Sequence, residues 1–321
     1  MSAFGVSPQE FMRGYHTIVV NDSKLGISAP INVTKYISGG TSAARSELGT
    51  VGGRIAGAYF GSSKWSVSDL IKQSQPFYIK GSKVISSDEP FTYGALQRAF
   101  LGRGSPDEMI DAVRLAVAVK RCKPSEVTSY GQKWFGSDCN AFVGNWLGVS
   151  PSTSISAYAN GYGGGVPSGA TPDVLITKDI VQMPPITDPS KIGEGNLVLT
   201  FGTPTKSSPS HWKHIALVQS IRPAGTNKYY LTLAEWGHEG NFESHMTRDK
   251  LVTLTDQRTL GWVDSSGAKP VDKESTLLGG AKCLAYKTTR FGKDVLCVFL
   301  DSSPLDWLSS RGWDIGGHYG T

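Results

Sequence analysis

A cysteine at the expected start of a short helix is the residue of this chain best suited to covalent chemistry. Phe142 and Trp146 follow Cys139 at helical spacing. A helix N-terminus offers partial positive charge and unpaired backbone N–H groups, and both favour the reactive thiolate over the thiol. We expect Ser137 to be the N-cap and the helix to run for roughly ten residues, ending near Gly148.

Two features of this segment argue against an activated thiol. Asp138 places a carboxylate beside Cys139, and it raises the pKa of the thiol unless its side chain caps the helix or turns away. A cysteine within an apolar helix is also commonly a buried core residue. The segment alone therefore leaves two interpretations, a nucleophile and a structural cysteine.

A histidine and a glutamate on two successive predicted strands could complete a nucleophilic site. His214 begins an apolar, partly β-branched strand over 214–221, and Glu235 ends a second strand over 229–235. If these strands pair as a hairpin, His214 and Glu235 become cross-strand neighbours. A catalytic cysteine needs a general base and a third group that orients this base. The alternative is that both side chains are merely solvated at strand ends.

The histidines also allow a zinc site to be considered. His211 and His214 are three residues apart, and Glu235, His238 and Cys139 could supply further ligands. Residues three apart on a strand point to opposite faces, however, and the apolar run after His214 favours a strand over a helix. We therefore predict neither a metal nor another cofactor. His238 remains an alternative to Glu235 as the group that orients His214.

Together, these residues resemble the papain-like peptidoglycan hydrolases, above all the CHAP family (cysteine, histidine-dependent amidohydrolases/peptidases) and the related NlpC-type endopeptidases. The resemblance covers about residues 125–240 and lies in the order of four segments. They are Asp138-Cys139 with its helix, the loop and strand of 193–198, His214-Ile215-Ala216-Leu217-Val218, and Leu233-Ala234-Glu235-Trp236. It implies a papain-like domain in which a nucleophile helix packs on an antiparallel sheet. Cys139 is then the nucleophile, His214 the general base and then acid, and Glu235 the orienting residue.

The same resemblance implies a substrate and residues that contact it. The substrate class is peptidoglycan, cleaved at an amide bond within the stem peptide or between muramic acid and L-alanine. Tyr130 resembles a substrate-contacting tyrosine of NlpC-type enzymes, and Trp134 and Trp236 are further candidate substrate-binding residues. The chain departs from the pattern at Asn140-Ala141, where NlpC-type enzymes usually have Ser-Gly. It departs again at Gly237, where many CHAP enzymes have a polar residue, so the support of Glu235 is left open.

Composition and patterning predict an α+β protein with room for two or three units. The 321 residues are 39% hydrophobic and 18% charged, as is typical of globular proteins. A capping box over 105–108 opens an amphipathic helix that is expected to reach about Arg121, and strands predominate after Asn196. We expect a papain-like domain over 101–265, an additional N-terminal region over 1–100, and a C-terminal hairpin and tail over 266–321.

Charge and cysteine content narrow the possible partners. The net charge of +5 is spread along the chain, without the basic stripe and interleaved aromatic residues that nucleic-acid binding requires. Four cysteines in a chain of this length are expected to be reduced, although Cys283 and Cys297 flank a predicted hairpin and could be bridged in an oxidising space.

Localisation is expected from two absences in the sequence. The first thirty residues contain no Sec-type signal, and no stretch of eighteen apolar residues predicts a membrane span. A wall enzyme of this kind is expected to be made in the cytoplasm and delivered to the periplasm or wall by a secretion system or by phage lysis. An immunity or inhibitor protein, or a carrier of the secretion apparatus, is then an expected partner.

Two other functions fit the same residues. The constellation could deamidate, cleave or acylate a protein target, as other papain-like toxins do. Alternatively, the chain could be a non-catalytic wall-binding or structural phage protein in which Cys139 is a core residue.

Overall fold

The computed structural model describes residues 5–60, 79–80, 83–84, 93–148, 151–152, 155, 158, 185–201, 212–257, 283–290 and 293–302. These residues form an α+β structure divided into two compact units. The described residues of the helical unit lie within Phe11–Asn145 and Trp236–Phe242. The described residues of the sheet unit lie within Met1–Glu10, Trp146–Glu235 and Glu243–Ile315.

The N-terminal half of the chain contains six helices and six short strands within its described residues. The helices are α1 (Pro8–His16), α2 (Ser42–Phe60), α3 (Tyr93–Phe100), α4 (Pro106–Ala118), α5 (Val127–Trp134) and α6 (Cys139–Leu147). The strands are β1 (Ile18–Asp22), β2 (Ile27–Ile31), β3 (Lys35–Tyr36), β4 (Ile79–Lys80), β5 (Lys83–Val84) and β6 (Gly136–Ser137). A 3₁₀ turn, Pro124–Glu126, precedes α5.

The predicted capping box before α4 is confirmed. Ser105 Oγ accepts a hydrogen bond from the N–H of Glu108 at 3.3 Å, and the Glu108 carboxylate accepts one from the N–H of Ser105 at 3.0 Å. The helix ends at Ala118 rather than near Arg121, because Lys120 adopts a φ of 59°, in the left-handed region where a right-handed helix cannot continue.

The C-terminal half forms one antiparallel sheet of seven strands. The strands are β7 (Leu197–Phe201), β8 (Trp212–Gly225), β9 (Lys228–Ala234), β10 (Met246–Thr253), β11 (Thr255–Gln257), β12 (Cys283–Arg290) and β13 (Lys293–Leu300). Their order is β10-β9-β8-β7-β13-β12-β11. A 3₁₀ turn, Pro189–Lys191, precedes β7, and a single helical turn, α7 (Phe242–His245), precedes β10.

The sheet closes on itself. Its two outermost strands, β10 and β11, are separated only by Leu254, and they pair with β9 and β12 respectively. Alternate side chains of the strands therefore point into one apolar interior. That interior contains Val198, Ala216, Val218, Leu231, Leu233, Val252, Leu254, Leu284, Tyr286, Cys297 and Phe299.

The hairpin predicted between β8 and β9 is present, with a tighter turn than expected. Pro223 and Gly225 follow the strand predicted over 214–221 and are therefore expected in the connection. Both belong to β8, whose last residue, Gly225, pairs with Lys228. The turn is formed by Thr226 and Asn227, and Asn227 has a φ of 56°. A two-residue hairpin turn of this kind favours positive φ, which asparagine tolerates well.

The units follow different boundaries from the predicted domains. The described residues of 11–100 lie in the same unit as Cys139, because aromatic residues of α1 pack on α6: the Phe11 and Phe142 rings lie 5.8 Å apart. The hairpin formed by β12 and β13 lies in the same sheet as His214, because β13 pairs with β7. The regions predicted as 1–100 and 266–321 therefore contribute to the two units that carry the candidate residues.

Several predictions fall on other parts of the chain. Sequence patterns also predict a helix over 66–73, a strand over 261–263 and, over 159–172, a glycine-rich segment that is either the rim of a cleft or a plain loop. All three segments lie outside the described residues, as do the tryptophans of the C-terminal tail, Trp307 and Trp313. Among the helices that the structure describes, none combines the length and apolar character needed to cross a membrane.

Candidate active site

Cys139 is the first residue of α6 and is buried. The preceding strand, β6, is held by a parallel bridge to β3 that places Tyr36 opposite Ser137, and the N–H of Ile37 donates to the Ser137 carbonyl at 3.0 Å. Glycine is required at 136, since a Cβ there would lie 2.5 Å from Ile37 Cγ1 and 2.7 Å from the Lys35 carbonyl oxygen. This close approach of β3 fixes the backbone from which the cysteine helix starts.

Asp138, and not the predicted Ser137, caps this helix. Its Oδ1 accepts a hydrogen bond from the N–H of Ala141 at 2.8 Å, and its Oδ2 lies 3.2 Å from Nη2 of Arg103. Ser137 cannot serve as the cap because its backbone belongs to the strand pairing. Burial raises the pKa of the Asp138 carboxyl, while Arg103 and the capping N–H act in the opposite direction.

The capping contact answers the objection that Asp138 raised against a reactive thiol. The carboxylate is directed to the helix backbone and to Arg103, so that part of its negative charge is offset. The thiol of Cys139 donates to Oδ1 of Asn140, with the two atoms 3.7 Å apart. Arg103 thus offsets part of the negative charge that Asp138 adds at the start of α6, where the helix dipole favours an ionised cysteine.

Tyr36, a neighbour of Cys139, and Arg103, the partner of Asp138, are residues that the sequence did not indicate. The Tyr36 side chain is 41% exposed. Burial of the rest of this side chain, together with the nearby Cys139 and Asp138, raises the pKa of the phenol to about 12. No local pattern could have found either residue, because long-range pairing of β3 with β6 brings Tyr36 to this position.

His214 and Glu235 are in contact, as the hairpin argument predicted. Strands β8 and β9 pair with Leu217 opposite Ala234, and this register brings the start of one strand to the end of the other. Nε2 of His214 lies 3.0 Å from Oε2 of Glu235, and both side chains are buried. With Nε2 directed to the carboxylate, Nδ1 is the ring nitrogen through which the imidazole would exchange a proton with a reactant.

Glu235 is held by two further side chains from the same sheet. The hydroxyl of Thr247, on β10, donates to Oε1 at 2.5 Å, and the guanidinium of Arg290, at the end of β12, forms an ion pair with Oε2. The backbone N–H of Glu235 donates to the His245 carbonyl at 3.0 Å. Although Gly237 has no polar side chain, the Glu235 carboxylate is supported by Thr247 and Arg290.

Tyr130, which was predicted to contact substrate, instead makes contacts within the helical unit. Its ring is buried, and its hydroxyl donates to Oε1 of Glu47 at 2.7 Å. Glu47 also accepts two hydrogen bonds from Arg121, at 2.7 and 2.6 Å. These contacts join α5 to α2 and give Tyr130 a role in the stability of the helical unit.

The two candidate tryptophans differ in exposure. Trp236 is fully buried: its ring stacks on His16 with centroids 5.3 Å apart, and its Nε1–H donates to the Lys35 carbonyl at 3.2 Å. Trp134 is partly exposed, with the Lys133 ammonium 4.6 Å from its ring centroid. Of the three predicted substrate contacts, only Trp134 presents part of its side chain to solvent, whereas Tyr130 and Trp236 are buried.

The other cysteines are reduced and buried. All four thiols are free, and the register of β12 with β13 sets Cys297 opposite Tyr286 rather than opposite Cys283. Burial raises the pKa of Cys122 and of Cys283 to about 11 in each case. These two thiols are therefore protonated at neutral pH, and neither is suited to act as a nucleophile.

The zinc hypothesis has no support in the described part of the chain. Within those residues, no group of three or more His, Cys, Asp or Glu side chains is arranged to hold a metal ion. His211 lies outside the described residues, and His238 is exposed on the segment after Glu235.

Cys139 belongs to the helical unit, and His214 and Glu235 belong to the sheet unit.

Compared with known proteins, the chain matches no family model, no curated protein and no solved structure.

Proposed function

We propose that the protein is a cysteine-dependent amide hydrolase, with Cys139 as nucleophile, His214 as general base and acid, and Glu235 as the residue that orients His214. The observation that carries this proposal is the buried contact between His214 and Glu235. Burial of an imidazole and a carboxylate is unfavourable unless each is hydrogen-bonded, and here the carboxylate accepts bonds on both of its oxygens.

An imidazole fixed in this way is suited to moving protons. The carboxylate sets the tautomer and orientation of the ring and stabilises the imidazolium that forms during the reaction. The position of Cys139 at a capped helix N-terminus supports the other half of the proposal, since it favours the thiolate. That the two groups act together is inferred from the order of the motifs in the sequence.

The reaction then has two steps. The Cys139 sulfur attacks the amide carbon and forms a thioester, while His214 takes the thiol proton and delivers it to the nitrogen as the C–N bond breaks. Water next attacks the thioester carbon, and His214 accepts the water proton. The C–S bond breaks, a carboxylic acid is released and the cysteine is restored.

Peptidoglycan is the proposed substrate on the strength of the resemblance to CHAP and NlpC-type enzymes. Either the stem peptide or the bond between muramic acid and L-alanine would be cut. Action on the wall or in the periplasm, after delivery by a secretion system or phage lysis, belongs to the same proposal, as does an immunity or inhibitor protein as partner.

Digestion of purified sacculi, followed by mass spectrometry of the soluble fragments, tests the proposal. We expect fragments with one new amine and one new carboxyl terminus at a single type of bond, and the fragment masses identify that bond. Cys139→Ala should release none, whereas Cys122→Ala, which changes another buried thiol, should release them as the wild type does. Release by Cys139→Ala at the wild-type rate would rule out the cysteine mechanism, and an inactive but folded wild type would rule out the substrate.

A further inference from the structure

We propose that Arg290 is a positioning residue of the His214–Glu235 pair: together with Thr247 it fixes the carboxylate, and its positive charge limits how strongly the imidazole holds a proton. This inference rests on the proposed function. It concerns a residue that lies in the C-terminal third of the chain, 55 positions after Glu235 in the sequence.

The contacts define a carboxylate shared among three donors. Oε2 of Glu235 faces both Nε2 of His214 and the guanidinium of Arg290, and Oε1 accepts from Thr247. These side chains come from three different strands or strand ends of the closed sheet. The Glu235 side chain therefore has little freedom to rotate away from the imidazole.

The charge of Arg290 matters because of what the imidazole must do. A carboxylate that faced only His214 would stabilise the imidazolium strongly and raise the pKa of the ring. A guanidinium on the same oxygen offsets part of that effect, since it repels the imidazolium. General acid–base catalysis works best when the pKa of the catalytic group lies near the working pH, so that the proton taken from the thiol can also be released to the leaving amine.

Two lysines lie on strands that carry the pair or its partners. Lys250, on β10, donates to Oγ1 of Thr288, and Lys213, beside His214, is exposed. His245 is buried and accepts the Glu235 N–H through its carbonyl. β7, which pairs with β8, has no charged residue, and Arg290 is in direct contact with the Glu235 carboxylate.

The test is an NMR titration of the His214 ring in a Cys139→Ala background, where the thiol cannot titrate with the imidazole. Arg290→Gln should raise the pKa of His214 by about one unit. Arg222→Gln, which removes an exposed arginine of β8, should leave it unchanged. Arg290→Lys should restore the wild-type value, because it keeps the positive charge. An unchanged His214 pKa in Arg290→Gln would overturn the inference.

A second pair of variants protects the test against loss of folding. Glu235→Gln and the double variant Glu235→Gln/Arg290→Gln differ only in the guanidinium, and the double variant leaves no partly buried arginine without a carboxylate. The pKa of His214 should be higher in the double variant by about one unit, again because a nearby cation has been removed. Equal values in the two proteins would contradict the proposed role of Arg290.

The result of the titration does not depend on whether the proposed function is correct. The titration needs no substrate, so it reports on Arg290 even if sacculi are not cleaved. If they are cleaved through Cys139, Arg290→Gln should move the acid limb of the pH–rate profile upward by the same amount as the NMR pKa. A rate that falls equally at every pH would show that Arg290 has only a structural role.

Discussion

The carboxylate of Asp138 caps the helix that begins at Cys139, accepting the Ala141 N–H at 2.8 Å while its other oxygen faces Arg103. The residue that seemed to oppose an ionised cysteine is therefore part of the structure that starts its helix.

This cap should contribute measurably to stability. Asp138→Ala removes the acceptor of the Ala141 N–H, and we expect a loss of about 1 kcal/mol in the free energy of unfolding. Asp138→Asn keeps an oxygen at the capping position and loses only the charge, so its loss should be smaller. Urea unfolding followed by circular dichroism measures both. Equal losses in the two variants would show that the ion pair with Arg103, and not the cap, is what stabilises the segment.

The four cysteines should differ sharply in their importance for turnover. Cys139→Ala should lower the rate of sacculus digestion by roughly 10⁴- to 10⁶-fold with the fold intact, since the nucleophile is lost and little volume changes. Alanine at Cys122, Cys283 or Cys297 should leave activity in place. Circular dichroism of each variant is the control for folding. A second cysteine whose loss abolished activity in a folded protein would require a different nucleophile.

Substitution of His214 should lower the rate of digestion more than substitution of Glu235. His214→Ala should be nearly as severe as loss of the cysteine, because both proton transfers depend on the imidazole. Glu235→Gln should cost roughly 10- to 1000-fold, since an amide oxygen can still accept the Nε2–H but stabilises the cation less. Rates on the same sacculi compare them. If Glu235→Gln proved as harmful as His214→Ala, the carboxylate would have a role beyond orientation.

Hairpin geometry explains why the His214–Glu235 contact could be predicted from the sequence. The strands of a hairpin are adjacent in the chain, so their register follows from a short turn and from the alternation of apolar residues. The same holds for the capping box of α4, whose two partners, Ser105 and Glu108, are three residues apart.

Long-range pairing explains what the sequence did not reveal. Arg290 reaches Glu235 only because β11 and β12 close the sheet, and Tyr36 lies near Cys139 only because β3 pairs with β6. Neither pairing leaves a local pattern in the chain. The choice between Ser137 and Asp138 as N-cap failed for a related reason, since the strand pairing that removes Ser137 from the helix involves residues about a hundred positions earlier.

The cluster formed by Glu47, Arg121 and Tyr130 should make the stability of the protein sensitive to acid. Burial alone would raise the pKa of Glu47, but hydrogen bonds from Arg121 and Tyr130 outweigh it and hold the pKa below its usual value. A carboxyl whose pKa is lowered by folding adds stability that is complete above its unfolded pKa, about 4.3, and that is lost as the pH falls through the folded value.

Glu47→Gln should therefore lower the free energy of unfolding at pH 7 by about 1.5 to 3 kcal/mol, and its difference from the wild type should shrink below about pH 4. Urea unfolding at a series of pH values measures this, with Glu239→Gln, a change at an exposed glutamate, as the matched control. A difference that stayed constant down to low pH would show that the stabilisation does not depend on the ionisation of Glu47.

Alkylation of Cys139 as a function of pH tests the central claim, that its thiolate is paired with His214, without any substrate. Iodoacetamide labelling of the Cys139 peptide is followed by mass spectrometry, and the buried Cys122 and Cys283, whose pKa values are raised to about 11, serve as internal references. We predict that Cys139 labels well below pH ~8.5, the pKa of a free thiol, and that His214→Ala removes this reactivity. Labelling of Cys139 that follows an ordinary thiol curve and is unchanged by His214→Ala would contradict the account.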